Sequence, residues 1–177
     1  TKDLDCRAVE ADVSNPSEAI KLVKESISIL GSIDILVCNV GNGKSVAPGE
    51  ETYRDWQEMF KKNLFSSTNM VEAAREELSK AKGVIVCISS ICGCDTIAGA
   101  PVTYSVAKTA LNAYVKGISI PLAEKEIRIN AIAPGNILFE GILRPQSTFS
   151  ESVNNMLDMI VDPNDNIIIT GGFYGSV

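Results

Sequence analysis

The chain of 177 residues contains no histidine. That absence removes Ser-His-Asp and Cys-His machinery, so a general acid or base has to come from Tyr, Lys, Asp or Glu. Zinc also loses a common nitrogen ligand, and the cysteines do not make up for it. There are five of them, an odd number at irregular spacings, with a single residue between Cys92 and Cys94. Neither a metal site nor a disulfide framework is expected. Cys38 and Cys87 lie in apolar runs and read as buried thiols, which fits a reducing, cytoplasmic setting. No apolar stretch reaches the roughly 18 residues that span a bilayer. No dense Lys/Arg run occurs, net charge is -6 and the sequence pI is about 4.7. Nucleic acid and anionic membrane are therefore excluded as expected partners. The opening Thr1-Lys2-Asp3 lacks a Met or a leader and reads like the interior of a longer protein.

What is present is the material of a globular core. Hydrophobic residues make up 45% of the chain, and no linker or internal repeat interrupts it, so residues 1–177 read as one domain. Four short apolar runs alternate with helical periodicity. Cys6 to Val13 is a predicted strand ending in Asp12-Val13. Asn15, Pro16 and Glu18 then predict a capped helix start, with Ile20, Val23, Ile27 and Leu30 inward and Gly31 as its stop. Ile33 to Val37 predicts a strand covered on both faces, leading into Asn39-Val40-Gly41. Glu50 to Lys80 reads as two helical segments, with Trp56, Met59, Phe60, Leu64, Met70, Val71 and Ala74 inward. Gly83 to Ile88 and Ile127 to Ile132 are further strands, the first running into Ser89-Ser90 and the second into Pro134-Gly135. Between them a helix runs from about Tyr104 to Glu126, and Pro121 should kink or break it. Residues 141–165 are irregular, with one plausible helix from Glu151 to Ile160. The alternation predicts an α/β fold with a doubly wound parallel sheet.

In such a sheet ligands bind outside the carboxyl ends of the strands. The turns there are small or polar, and a Tyr-Lys helix starts beside one of them. Tyr104 and Lys108 are four apart and share a helix face. An ammonium near a phenol favours the phenolate, which predicts a lowered pKa for Tyr104 and proton exchange near neutral pH. The same spacing also describes an ordinary helix with two exposed polar side chains, and each turn alone is ordinary turn chemistry. Their convergence is what counts.

Taken together, these motifs resemble the single-domain short-chain dehydrogenase/reductase family. Tyr104 and Lys108 match its Tyr-x-x-x-Lys. Ser90, with Ser89 as the neighbouring alternative, matches its catalytic serine, and Asn63 in Lys62-Asn63-Leu64 its helix asparagine. Cys38-Asn39-Val40-Gly41 is similar to the strand-end Asn-Asn-Ala-Gly, Asp12-Val13 to the adenine-side Asp, and Pro134-Gly135 to the nicotinamide-side Pro-Gly. The resemblance runs from about residue 6 to 141. It implies a Rossmann-like fold, NAD or NADP as cofactor, and hydride transfer to or from a small carbonyl or secondary alcohol. Ser90 would then hold the substrate oxygen, Tyr104 would be the acid or base, and Asn63 would hold a relay water. Lys108 would lower the tyrosine's pKa and hold the ribose. The implied cofactor residues are Asp12, Val13, Asn39, Val40, Gly41, Tyr104, Lys108, Pro134, Gly135 and Ile137, and the family implies a homodimer or homotetramer.

The chain departs from that pattern in several places. The family's opening strand and its Thr-Gly-x-x-x-Gly-x-Gly loop do not precede residue 6, so the sheet is expected to be incomplete on its N-terminal side. Yet residues 166–177 run from an apolar strand into Thr170-Gly171-Gly172-Phe173-Tyr174-Gly175. This stretch resembles either that opening loop or the family's closing strand, and both readings stand open; either way, Gly171 and Gly175 are cofactor candidates. Cys38 replaces the first Asn of its motif, and Phe139 stands where many members carry Thr. Two rival functions follow: a non-catalytic relative that keeps the fold for binding, or a structural chain that assembles through Ala107, Ala110, Ala113 and Gly117.

Overall fold

The computed structural model describes residues 7–135 and, as backbone, the strand Ile167–Thr170. Helix α1 (Pro16–Leu30) leads to strand β1 (Ile35–Cys38). Helix α2 (Tyr53–Phe60) passes through a π-helical turn (Lys61–Phe65) into α3 (Ser66–Ala81). Strand β2 (Val84–Ile88), a 3-10 turn (Ile91–Gly93), helix α4 (Val102–Ala123), β3 (Arg128–Ile132) and β4 (Ile167–Thr170) follow. All pairings are parallel, in the order β3-β2-β1-β4. This is the predicted parallel α/β sheet. Its order reverses at β1, because β2 and β3 extend the sheet to one side and β4 lies on the other.

The position of β4 separates the two readings of the C-terminal run. A closing strand would extend the sheet beyond β3, whereas β4 pairs with β1 from Ile35↔Ile167 to Cys38↔Thr170. That is the slot expected of an opening strand. Ile137, Phe139, Gly171, Gly175 and the predicted helix Glu151 to Ile160 lie outside the described residues.

The core is built from Leu36, Ile85, Met70, Val71, Ala74, Leu78, Leu111 and Ile127, each 0 or 1% exposed. The inward stripe of α1 differs from the expectation: Leu22 and Val23 are buried, while Ile20 is 48% exposed. Asn15 caps α1 through Ser17 N. Glu18 does not close a capping box; its carboxylate takes the N–H of Asp12 at 2.8 Å. That bond also bears on the predicted strand Cys6 to Val13, which is absent among described residues 7–13. Other backbone groups at its end also have partners outside a ladder. Asn15 N donates to Asp12 O at 2.9 Å, and Asn69 Nδ2 to Val13 O at 3.1 Å.

Pro121 does not break α4, which runs on to Ala123. Its ring falls in the last turn, and the carbonyl that loses its donor belongs to Gly117, which is exposed to water. Helix α3 ends on Lys82 in the left-handed region at φ 53°, with Gly83 N reaching back to Leu78 O at 2.8 Å. A non-glycine residue is disfavoured at such a cap, and the exposed Lys82–Glu126 pair at 2.9 Å offsets little of that cost. Lys82→Gly is expected to raise stability by about 0.5–1 kcal/mol. Urea denaturation checks it, and an unchanged or lower midpoint counts against the cap argument.

Candidate active site

The predicted residues meet at the carboxyl ends of β1 and β2. The turn Asn39–Gly41 leaves β1, and Ser89-Ser90 leave β2. Ser89 N donates to Ile132 O at 2.7 Å and Ile91 N to Pro134 O at 2.9 Å, which ties Pro134-Gly135 to the same edge. Helix α4 begins beside this edge and brings in Tyr104 and Lys108.

Lys108 is 4% exposed, and its Nζ lies 5.9 Å from the Tyr104 ring centroid. The ammonium donates to Ile88 O at 2.7 Å. Burial holds its pKa down to about 8 from an ordinary value of 10.5. Between those two values the unfolded chain holds more protons than the folded one, so stability should rise with pH across that window. The penalty is fully present below about 8. Lys108→Met is therefore expected to be more stable than the parent at pH 7, by about 3 kcal/mol at most, and to lose that advantage near pH 10.5. Denaturant midpoints of both proteins at pH 7 and pH 10 read the gap; a gap that does not narrow rules the argument out.

Tyr104 corrects the sequence expectation. Its phenol is held above the ordinary tyrosine value, chiefly by burial, and the neighbouring Ser90 hydroxyl partly offsets this. The nearby Lys108 had been expected to lower it. Sequence spacing shows that a cation is near but not that the phenol is desolvated. Ser90 itself is 8% exposed, and its hydroxyl accepts from Cys92 N at 3.2 Å. Ser89 points the other way, donating to Lys108 O at 3.4 Å, which makes Ser90 the member of the pair aimed at Tyr104.

Asn63 sits in the π-helical turn and is fully buried. Such a turn inserts one residue into a helix and is often found at functional sites. Asn63 accepts from Asn42 N at 3.0 Å and donates to Asn42 O at 3.0 Å and Met59 O at 3.1 Å. The side-chain amide thus straps the loop after β1, where the resemblance implied a water relay. A Cβ on Gly41 would lie 2.7 Å from Asn63 Oδ1 and 3.2 Å from Lys108 Nζ. Gly41, Asn63 and Lys108 therefore converge where no further side chain fits.

Asp12 stands apart from this cluster. Ser14 donates to its carboxylate from both hydroxyl and backbone, and Lys61 lies at 3.6 Å. The Ser14 hydroxyl first, and Lys61 after it, hold its pKa below the usual value. Val13 is buried in the core.

Sequence reasoning missed other members of the site. The loop after β1 is pinned by Lys44 N donating to Asn42 Oδ1 at 2.7 Å and by a Ser45–Thr103 hydroxyl contact of 2.8 Å. Gly93 packs against the Lys108 backbone, where a Cβ would lie 2.7 Å from the carbonyl carbon. Cys38 and Cys87 are neighbours in register across β1 and β2, and the Cys38 thiol points to Ser67 O at 4.0 Å. A one-dimensional pattern carries no sign of these contacts. A hollow of about 520 Å³ lined by Glu72, Arg75, Glu76, Ser79, Lys80 and Lys125 lies at the far ends of α3 and α4. It includes none of the residues above, and two of its three cations face carboxylates already, Arg75 on Glu72 and Lys80 on Glu77, each at 2.6 Å.

Among the described residues no group of three or more potential ligands could hold a metal, and no helix is long and apolar enough to cross a membrane. The small-residue stripe of α4 is not one outer face. Ala107 is buried in the chain's own core, while Ala113 and Gly117 are exposed.

Sheet order and strand-end residues define a Rossmann-like α/β protein with a Tyr-Lys helix at the carboxyl edge of its sheet. The comparisons give the family. A family model described as "Enoyl-(Acyl carrier protein) reductase" matches residues 1–163, and the chain belongs to the short-chain dehydrogenase/reductase family. It is 32% identical over 136 residues to the 7alpha-hydroxysteroid dehydrogenase of Escherichia coli strain K12, covering 76% of this chain and 52% of that one. It is 29% identical over 130 residues to the L-fucose dehydrogenase of Rattus norvegicus, covering 73% and 48%. A solved 7alpha-hydroxysteroid dehydrogenase, complexed with NADH and 7-oxo glycochenodeoxycholic acid, superposes with a TM-score of 0.67 at 32% identity. That match covers 72% of this chain and 50% of the other. A short-chain dehydrogenase/reductase from Burkholderia xenovorans gives a TM-score of 0.70 at 27% identity, covering 73% and 52%. The chain thus spans about half the length of the curated relatives it matches.

Proposed function

We propose that this chain carries the catalytic half of an NAD- or NADP-dependent oxidoreductase acting on a small carbonyl or secondary alcohol. The observation that carries the reading is the convergence of Ser90, Tyr104, Lys108, Asn63 and Gly41 at one sheet edge. The relatives' names support it, one of them solved with NADH and an oxo-substrate. A bound nicotinamide dinucleotide supplies the hydride chemistry, and the protein supplies position and protons.

The residues fit such a group. Lys108 uses one of its three N–H donors on Ile88 and has no carboxylate partner among the described residues. Donors remain for ribose hydroxyls. Asn39, Val40 and Gly41 would flank the cofactor at the end of β1, Pro134 and Gly135 at the end of β3, and Asp12 and Val13 on the adenine side. Ile137, Gly171 and Gly175 complete the set. Ser90 would hydrogen-bond the substrate oxygen. Tyr104, with its pKa above the ordinary value, keeps its proton at neutral pH and is suited to donate it to a forming alkoxide.

Turnover of NADH and NADPH against a panel of ketones tests the reading, alongside equilibrium binding of each dinucleotide. Turnover lost in Tyr104→Phe supports it. Binding of neither dinucleotide would favour a relative that keeps the fold without the chemistry. A homodimer or homotetramer is part of the same proposal, because α4 exposes Val102, Val106 and Ile120 and the neighbouring helical segments expose Tyr53 and Phe65. Sedimentation showing a stable monomer would remove that part.

A further inference from the structure

Asn112 lies on α4 at the position after Tyr104 and Lys108 in the same four-residue stripe. Its side chain reaches the turn that bears Ser90. Asn112 Nδ2 donates to Gly93 O at 3.0 Å and sits 3.6 Å from Cys94 Sγ. Thr109 Oγ1 donates to the same Gly93 carbonyl at 3.2 Å, while also bonding Ser105 O at 3.0 Å. Gly93 N in turn donates to Ser90 O at 2.9 Å, closing the 3-10 turn. Because Gly93 has no side chain, its backbone rests on that of Lys108. The turn bearing Ser90 is thus docked on α4 by contact and held there by two donors from α4 itself.

We infer that Asn112, assisted by Thr109, is a positioning residue that fixes Ser90 against Tyr104 by clamping the Gly93 carbonyl. The inference rests on the proposed roles of Ser90 and Tyr104, and it adds the element that sets the spacing between them. A helix and a strand-end turn come from different parts of the chain, and packing alone leaves them free to slide. Two hydrogen bonds onto one carbonyl remove that freedom. A displacement of an ångström at a reacting group is enough to slow catalysis strongly.

A purely structural hydrogen bond would change stability but leave the link between Ser90 and Tyr104 intact. The test therefore reads that link directly, by ¹³Cζ-tyrosine NMR titration of the full chain, with the Tyr104 signal assigned by Tyr104→Phe. In the parent, Ser90→Ala should raise the Tyr104 midpoint, because the serine favours the phenolate. In an Asn112→Leu background the same change should shift the midpoint little or not at all. An equal Ser90→Ala shift in both backgrounds overturns the inference. In turnover, Asn112→Leu should lower kcat about tenfold to a hundredfold with KM for the dinucleotide unchanged, and Asn112→Gln should restore part of the loss. If Asn112→Leu does not fold, Thr109→Val carries the test, with a smaller reduction of the Ser90→Ala shift expected and none overturning the claim. The titration does not depend on turnover. A parent without dinucleotide turnover would sink the proposed function while the clamp is still decided by NMR.

Discussion

Tyr104→Phe is expected to lower kcat by about 10²- to 10⁴-fold while leaving dinucleotide affinity nearly unchanged, the range usual for loss of a general acid or base. The substitution removes one hydroxyl and keeps the ring, so the packing that half-buries Tyr104 should survive. Ser90 would keep the Cys92 N–H. No histidine is available to take over the proton, and Lys108 is turned toward the Ile88 carbonyl. Steady-state kinetics with NADH and NADPH, beside a fluorescence binding measurement, separate the two effects. Wild-type kcat in the variant would remove Tyr104 from the mechanism. Weakened binding with unchanged kcat would move it from proton transfer to cofactor positioning.

Asn63→Ala is expected to cost about 3 kcal/mol in stability. The amide is fully buried and serves the backbone N–H and C=O of Asn42 together with the Met59 carbonyl. Truncation leaves those groups without partners, and each unsatisfied buried group costs about 1–3 kcal/mol. Asn42 is only half-buried, so water recovers part of that, which keeps the figure near the lower end of the sum. For a chain of this size the melting temperature should fall by roughly 6–12 °C. Thermal melts and urea titrations check this; a shift under about 1 kcal/mol would mean that the loop after β1 does not depend on the strap. Loss of activity in the fraction that remains folded would show that the loop also shapes the site.

The parts of this molecule legible in the sequence are those governed by period. Residues four apart on a helix share a face whatever surrounds them, so Tyr104 and Lys108 could be paired from spacing alone. Apolar runs of strand length match β1, β2 and β3 nearly at their observed bounds; for β1 and β2 this is because strands covered on both faces have little compositional freedom, while β3 buries only Ile129. What was not legible depended on partners distant in sequence. Cys6 to Val13 has the composition of a strand but pairs with none among the described residues, since Glu18, Asn15 and Asn69 satisfy its end. Ile20 and Leu22 both fit an apolar stripe, and only the placement of α1 against α3 turned Leu22 inward. The phenol of Tyr104 was expected to be acidified because a cation is visible in sequence while desolvation is not. The Thr52–Asp55 capping box at the start of α2 is local, by contrast, and is written in the sequence itself.

The π-helical turn at Lys61–Phe65 takes up one residue more than an α-helical turn would. An α-helix advances about 100° per residue, and the wider turn fits the extra residue into about the same rotation, so the helix beyond it keeps its phase. Met59 faces inward before the turn, and Met70, Val71, Ala74 and Leu78 face inward after it. Deleting a single residue between Lys61 and Phe65 would restore an unbroken α-helical count with that buried quartet still facing the sheet, but would move Asn63 off the turn that aims its amide at Asn42. Such a deletion should therefore free the loop after β1 before it disturbs the packing of α3, whereas an extra residue inserted where no turn can absorb it would rotate the quartet by about 100°.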